Sequence, residues 1–200
     1  MKMDLAEYKK KLRKEKIKAR EALPEDDRIR FSEAISDRIL ATPEYEEAEN
    51  IFIYKWIRGE VRLDEFERRA TADGKHLIYP LVISRTEMTA IHPGTGKGAW
   101  KEGYYGIEEP VLEEGTVIDP EDIDLVIAPC TSFDDSCRRL GMGGGFYDRY
   151  LAGCTDAKII AAAFEVQHSE EIPADEYDFP VDAVATELRL IRSDRSKSRW

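Results

Sequence analysis

Two short apolar runs, "DLVIAP" (residues 124–129) and "KIIAAAF" (158–164), constrain the fold more than any other feature. Neither alternates polar with apolar residues, so a strand made from either must be covered on both faces. That is the condition of a parallel strand inside a helix-covered sheet. "NIFIYKWI" (50–57) is rich in β-branched and aromatic residues and predicts another buried strand. "HLIYPLVI" (76–83) and "MTAIHP" (88–93) predict two more, with Pro80 pointing to an edge or a bend. One last strand is expected within "VDAVATELRLI" (181–191).

Helical segments separate these runs. Leu5, Tyr8, Leu12, Ala19 and Leu23 fall near one face of an opening helix, which predicts that face inward and the basic residues outward. Pro24 breaks it, and residues 26–40 predict a second helix with Phe31, Ile35 and Ile39 inward, closed by Pro43. Residues 63–72 predict a third before the turn at Asp73-Gly74, and 146–152 a short fourth. Residues 94–115 show no period and predict a long surface loop. Strands alternating with helices imply an α/β fold: a single layered domain over residues 1–200, with a mostly parallel central sheet flanked by helices and a basic N-terminal helix.

With 42% hydrophobic residues, a chain of 200 can bury an ordinary core. No apolar run reaches the ~18 residues of a membrane helix, and the opening segment has no signal-peptide core, so no membrane partner and a cytoplasmic location are expected. Cys130, Cys137 and Cys154 are odd in number and fit no zinc spacing; inert thiols in a reducing compartment are expected. The net charge of −11 disfavours nucleic-acid binding. Positive charge is local: residues 9–20 carry eight basic residues and one acid, Glu15.

Between the runs at 124 and 158 lies "RLGMGGGFYDRY" (139–150), with four glycines in five positions. It follows a buried strand and precedes a helix, where open α/β sheets place ligands. Successive glycine N–H groups can form an anion nest, and Arg138, Arg139 and Arg149 flank it. A Walker loop would end in Gly-Lys-Ser/Thr, and a dinucleotide fingerprint would need glycine at 146; Phe146 and Tyr147 match neither. A tight strand-to-helix turn would use the same glycines, and they do not separate the two readings. Asp148 favours the phosphate reading, because Mg²⁺ takes one or two carboxylates with phosphate oxygens and water. Asp175, Glu176, Asp178 and Asp182 offer a second carboxylate.

The stretch "DLVIAPCTSFDDSCRRLGMGGGFYDRYL" resembles the 5-formyltetrahydrofolate cyclo-ligase family. "KKKLRKEKIKAREAL", "IFIYKWIRGEV", "YYGIEEP" and "AAAFEVQ…IPADEYDFPVDAVATE" agree in order and spacing, so the resemblance covers nearly the whole chain. It implies ATP-driven closure of 5-formyltetrahydrofolate to 5,10-methenyltetrahydrofolate with release of ADP and phosphate. In that chemistry the formyl oxygen is phosphorylated and folate nitrogen-10 attacks the activated carbon. ATP and Mg²⁺ are the implied cofactors, and the folate, polyglutamylated or not, the implied partner; a monomer is expected, although the sequence does not reveal the oligomeric state.

Carried over residue by residue, Arg139, Leu140, Gly141, Met142, Gly143, Gly144, Gly145, Phe146 and Tyr147 resemble the ATP loop. Lys9, Lys10 and Arg13 match the basic stretch that contacts nucleotide phosphates. Arg139, Tyr147 and Asp148 are the implied catalytic residues, and Asp148 with Asp178 the implied metal ligands. Glu60 matches the acid that recognises the pterin, and a carboxylate can accept two hydrogen bonds from an aminopyrimidine edge. Tyr105 matches a loop aromatic; Tyr54, Lys55 and Met88 are further candidates for the folate pocket. Gln167 lies in a matching block without an assigned role. Leu81 stands where the family often has a basic residue, a contact that Lys55, Arg58 or Arg85 could replace. Three rivals are a binding module of the same fold that performs no reaction, an ATP-dependent enzyme of another formamide, and an RNA-associated protein using the basic helix. The retained Asp148 and glycines, Glu60 with the "YYGIEEP" loop, and the overall acidity speak against them in turn.

Overall fold

The computed structural model describes residues 4–96, 98–103, 106–173 and 178–193. The chain opens with α1 (Leu5–Glu21), α2 (Glu25–Leu40) and α3 (Pro43–Glu47), then β1 (Asn50–Phe52), α4 (Asp64–Ala72), β2 (His76–Val82) and β3 (Met88–His92). A ribbon of β4 (Trp100–Glu102) and β5 (Glu108–Pro110) precedes β6 (Thr116–Ile118) and β7 (Leu125–Pro129). A small hairpin of β8 (Ser132–Phe133) and β9 (Arg139–Leu140) leads into α5 (Phe146–Leu151). β10 (Lys158–Ala162), β11 (Ala183–Ala185) and β12 (Leu190–Arg192) complete the chain.

Eight strands form one sheet in the order β12-β11-β10-β7-β1-β2-β3-β6. From β11 to β2 every neighbouring pair is parallel; β12, β3 and β6 add antiparallel margins. The expected mostly parallel, helix-flanked sheet is therefore present. Alternate residues of its inner strands enter two cores. Ile51, Leu125, Ile127 and Ile160 pack with Ile35, Ile39 and Phe66 of α2 and α4. Phe52, Val126, Ala128 and Ile159 pack with Leu151 of α5 and with Phe133. Burial on both faces is why these runs do not alternate in polarity.

From β1 the chain moves outward to β2 and β3, then returns to β7 on the other side of β1. The winding direction reverses there, which is the place where open sheets of this kind carry a ligand crevice, beyond the carboxyl ends of β1 and β7.

Several expectations change at this level. The expected strand over 50–57 pairs only as far as Phe52, with Ile53 N–H still donating to Ile78 (2.9 Å). Beyond it the chain turns away at the crevice, which has no neighbouring strand to pair with. β2 is interior, yet β1 pairs only to Ile78, so Pro80 faces an unpaired flank and costs no ladder bond there. Residues 94–115 are partly ordered by the β4–β5 ribbon, and 181–191 hold two strands rather than one. Pro43 opens α3 as its first residue, with the Thr42 hydroxyl accepting from Tyr45 N–H (3.2 Å).

The largest change concerns α1. Leu5 and Tyr8 are exposed, whereas Lys9, Leu12 and Arg20 are its buried residues. The helix docks through a stripe of cations at spacings of four, three and four: Lys9, Arg13, Lys16 and Arg20. Lys9 pairs with Asp178, Arg13 Nε donates to Gly141 O (2.9 Å), and Lys16 Nζ donates to His168 O. Long basic side chains bury their hydrocarbon stems while their heads reach acceptors. Here the acceptors are loop carbonyls and carboxylates at the crevice, so the charged face turns inward.

Candidate active site

The glycine loop is launched by the β8–β9 hairpin, whose turn is held by one carboxylate. Buried Asp134 accepts from Ser136 N–H (2.9 Å) and Arg138 N–H (3.1 Å) through one oxygen, and from Ile172 N–H (2.8 Å) through the other. Cys137 takes a left-handed conformation (φ 58°) to close this turn. Thr131 N–H then donates to Leu140 O (2.8 Å), so the chain enters the loop from a fixed direction.

Met142, Gly143 and Gly144 are exposed at the loop's rim. Gly143 and Gly145 have φ of 102° and 68°, which favour glycine. Arg13 grips the loop at Gly141 O, and Arg149 Nη2 at Gly144 O (2.8 Å). The positive field comes from these side chains, because α5 is only six residues long and its dipole adds little.

Arg139 is buried beneath the loop, and its Nη2 meets Asp148 Oδ1 at 2.5 Å. Phe179 N–H donates to the same oxygen (3.3 Å), which brings Asp178 into the neighbourhood of Asp148. Both expected metal ligands thus carry a cation partner, Arg139 for Asp148 and Lys9 for Asp178. Among the described residues no group of three His, Cys, Asp or Glu side chains is gathered for a metal. Two carboxylates beside a phosphate nest suit Mg²⁺, which completes its shell with phosphate oxygens and water. A polyphosphate also fits what is present. Arg139 Nε and the Tyr147 hydroxyl are buried without a hydrogen-bond partner among the described residues, beside a loop of bare backbone.

Glu60 is buried on the other side of the crevice. Its Oε2 accepts from Ile57 N–H (3.1 Å) and its Oε1 from Arg20 Nη2 (3.5 Å). Burial raises its carboxyl above the ordinary value, and Arg20 opposes that most. Glu60 acts electrostatically on Tyr147, whose phenol burial pushes far above its usual range, and Arg139 acts on the same phenol. The expected pterin acid and the base of the expected ATP loop, Arg139, are both buried, and both act on the Tyr147 phenol. Tyr54 joins them, its hydroxyl donating to Val61 O (3.0 Å).

Other candidates take other places. Lys55 pairs with Glu67 (2.8 Å) and lies over the rings of Tyr79 (4.8 Å) and Trp100 (5.0 Å). Met88 is half-buried and packs against the core on the α5 side. Lys10 is exposed, off the inward stripe of α1. Leu81 is buried, so a basic residue there would enter the core. Tyr105, Asp175 and Glu176 lie outside the described residues. Asp182 is buried and accepts from Ile159 N–H (2.8 Å), so it serves the sheet. Gln167 also has a structural post: its amide nitrogen donates to Cys130 O (2.6 Å) and Thr131 O (3.0 Å), and its oxygen accepts from Phe164 N–H (2.9 Å). Arg149, expected beside the nest, does grip it, whereas Arg20 and Asp134 shape the site without having been expected there. The spacing of Arg20 from Lys9, Arg13 and Lys16 was its only signal in the sequence.

Residues 5–187 match the model of the 5-formyltetrahydrofolate cyclo-ligase family. The chain is 28% identical over 198 residues to the mouse protein named 5-formyltetrahydrofolate cyclo-ligase, covering 91% of each. The Escherichia coli protein of that name is 26% identical over 177 residues, covering 86% of this chain and 96% of the relative. Among solved structures, the 5,10-methenyltetrahydrofolate synthetase of Aquifex aeolicus superposes with a TM-score of 0.81 at 33% identity, covering 93% of both chains. That of Mycoplasma pneumoniae superposes with a TM-score of 0.74 at 26% identity, covering 90% of this chain and 98% of the other. The chain that carries this glycine loop and buried acid thus belongs to the 5-formyltetrahydrofolate cyclo-ligase family.

Proposed function

We propose that this chain is an ATP-dependent ligase that closes 5-formyltetrahydrofolate to 5,10-methenyltetrahydrofolate, releasing ADP and phosphate. The observation that carries this reading is that buried Glu60 and buried Arg139, whose guanidinium lies 5.9 Å from the Tyr147 ring, both stand by the switch point, Arg139 beneath the glycine loop. A folate held at Glu60 would have its formyl group beside the glycine loop. ATP, when bound, supplies the phosphoryl group that turns the formyl oxygen into a leaving group.

In this reading the backbone of residues 141–145, with Lys9, Arg13 and Arg139, holds the phosphates, and Lys10 adds charge from the rim. Asp148 and Asp178 would hold Mg²⁺. Arg139 and Tyr147, kept dry by burial, orient the reacting groups, since phosphoryl transfer asks mainly for positioning and charge neutralisation. Glu60 accepts the N–H donors of the pterin. Tyr54, Met88 and Tyr105 line its pocket, and Lys55 stands toward the glutamate tail. The reading includes one domain over residues 1–200, a monomeric cytoplasmic enzyme, and a substrate with or without added glutamates.

The test is the near-ultraviolet absorbance of the methenyl product from 5-formyltetrahydrofolate, Mg²⁺ and ATP. Product should form only with ATP present. Folate binding without any product would favour a binding module of the same fold. D148N should slow turnover about a hundredfold or more while folate affinity stays within about threefold. An equal loss in both would overturn the assignment of Asp148 to the phosphate side.

A further inference from the structure

We propose that Arg20 is a positioning residue for substrate recognition: from α1 it fixes the orientation and charge of Glu60 at the switch-point crevice. The inference rests on the reading of Glu60 as the acceptor for the pterin's N–H donors.

Arg20 has no exposed surface, and its guanidinium donates to three acceptors on two segments, the turn at 57–60 and the chain beyond β7. Nε donates to Arg58 O (3.1 Å), Nη1 to Cys130 O (3.2 Å) beyond β7, and Nη2 to Glu60 Oε1 (3.5 Å). The first bond bears on the turn that presents Glu60. Arg58 and Gly59 are consecutive left-handed residues, with φ of 47° and 68°, and Glu60 N–H closes the turn onto Ile57 O (2.9 Å). A non-glycine residue in that conformation persists only when its surroundings hold it there. Arg20 holds the turn by its carbonyl and the carboxylate by its charge.

Docking of α1 does not by itself call for this arrangement. Lys9, Arg13 and Lys16 already fasten the helix. A fully buried cation facing a buried acid is no more stabilising than well-packed apolar side chains of similar volume. What the pair adds is geometry. With one lone pair of each Glu60 oxygen committed to Arg20 or Ile57, the remaining lone pairs face fixed directions and can receive two N–H donors side by side. The groups acting on this cluster are Arg20 from α1, Arg58 from the turn, Tyr54 beyond β1, Cys130 beyond β7 and Tyr147 from α5. Arg139 acts on Cys130 and Tyr147 in turn. Burial drives Glu60 toward its neutral form, which accepts poorly, and Arg20 is the strongest influence the other way.

The experiment is steady-state kinetics of wild type, R20Q, E60Q and the double variant, with 5-formyltetrahydrofolate and ATP varied in turn. R20Q should raise the folate KM about tenfold to a hundredfold and leave kcat and the ATP KM within about threefold. In the E60Q background R20Q should add little. The acid limb of the folate kcat/KM profile should move to higher pH in R20Q, by about one unit or more. Equal losses in both backgrounds, or an acid limb that stays in place, would overturn the proposal. If R20Q does not fold, the same cycle is run with R20K. That variant keeps the charge, so its folate KM should rise while its acid limb stays, and additivity with E60Q overturns the proposal equally. Wild type that neither binds nor converts 5-formyltetrahydrofolate overturns the functional reading instead.

Discussion

Cys130, Cys137 and Cys154 are buried, and loss of water pushes their thiols up to about 12, about 12 and about 11. The thiolate is the nucleophile, so none of the three should react near neutral pH. Iodoacetamide at about pH 7.5 should leave the native protein unlabelled, while urea-unfolded protein takes up all three labels by intact mass. Native labelling at Cys130 would mean that the crevice opens to reagents. Gly145 illustrates a different constraint. A Cβ there would meet φ of 68° and lie 2.5 Å from Arg149 Nη1. G145A should cost about 1–2 kcal/mol in denaturant unfolding and raise the ATP KM. G74A provides the control, with φ of 78° and nothing within 4 Å of the added carbon: a similar stability loss and an unchanged ATP KM. At this scale the glycines were readable because left-handed backbone strongly favours glycine, although Arg58 and Cys137 adopt it where their surroundings hold them. The burial of Arg20 and Glu60 was not, since nothing in either residue's neighbours marks a charge as enclosed.

Helices and strands are the level at which periodicity speaks, and most elements lie where their patterns put them. The facing of α1 does not follow its apolar pattern. Leu5 and Tyr8 make a poor stripe, and the acceptors that draw Lys9, Arg13, Lys16 and Arg20 inward come from residues more than thirty positions away. Cation-mediated docking predicts selective loosening. In hydrogen–deuterium exchange, K16M should speed exchange across Leu5–Glu21 and leave Asp64–Ala72 unchanged. On the functional reading, nucleotide with Mg²⁺ should slow the same α1 amides. Uniform acceleration in both helices would show instead that Lys16 supports the whole molecule. The β8–β9 hairpin is silent in the sequence for a related reason: strands of two residues carry no period, and its order comes from Asp134 reaching Ile172.

Across the whole molecule, Glu44 of α3 pairs with Arg192 of β12 and joins the sheet margin to the opening helices. The hydrogen bond from Arg192 is the main reason its carboxyl lies below the ordinary value of 4.5. A lowered native value contributes stability above the unfolded value, and that contribution is lost as pH falls through the native one. E44Q should therefore melt below wild type at about pH 7 and converge with it by about pH 3; a constant gap would mean that packing alone holds the margin. Glu60 has the opposite sign, since its raised value favours the folded state as it takes up a proton. The sequence by itself determined the parallel layered sheet, because two-sided burial demands uninterrupted apolar runs, and it determined the glycine loop, because successive left-handed positions favour glycine. Only the tertiary structure decided that the cations of α1 face inward and that Arg20 joins Glu60 at the crevice. Those contacts depend on where the chain reverses its winding between β1 and β7, and no local pattern of residues encodes that distance.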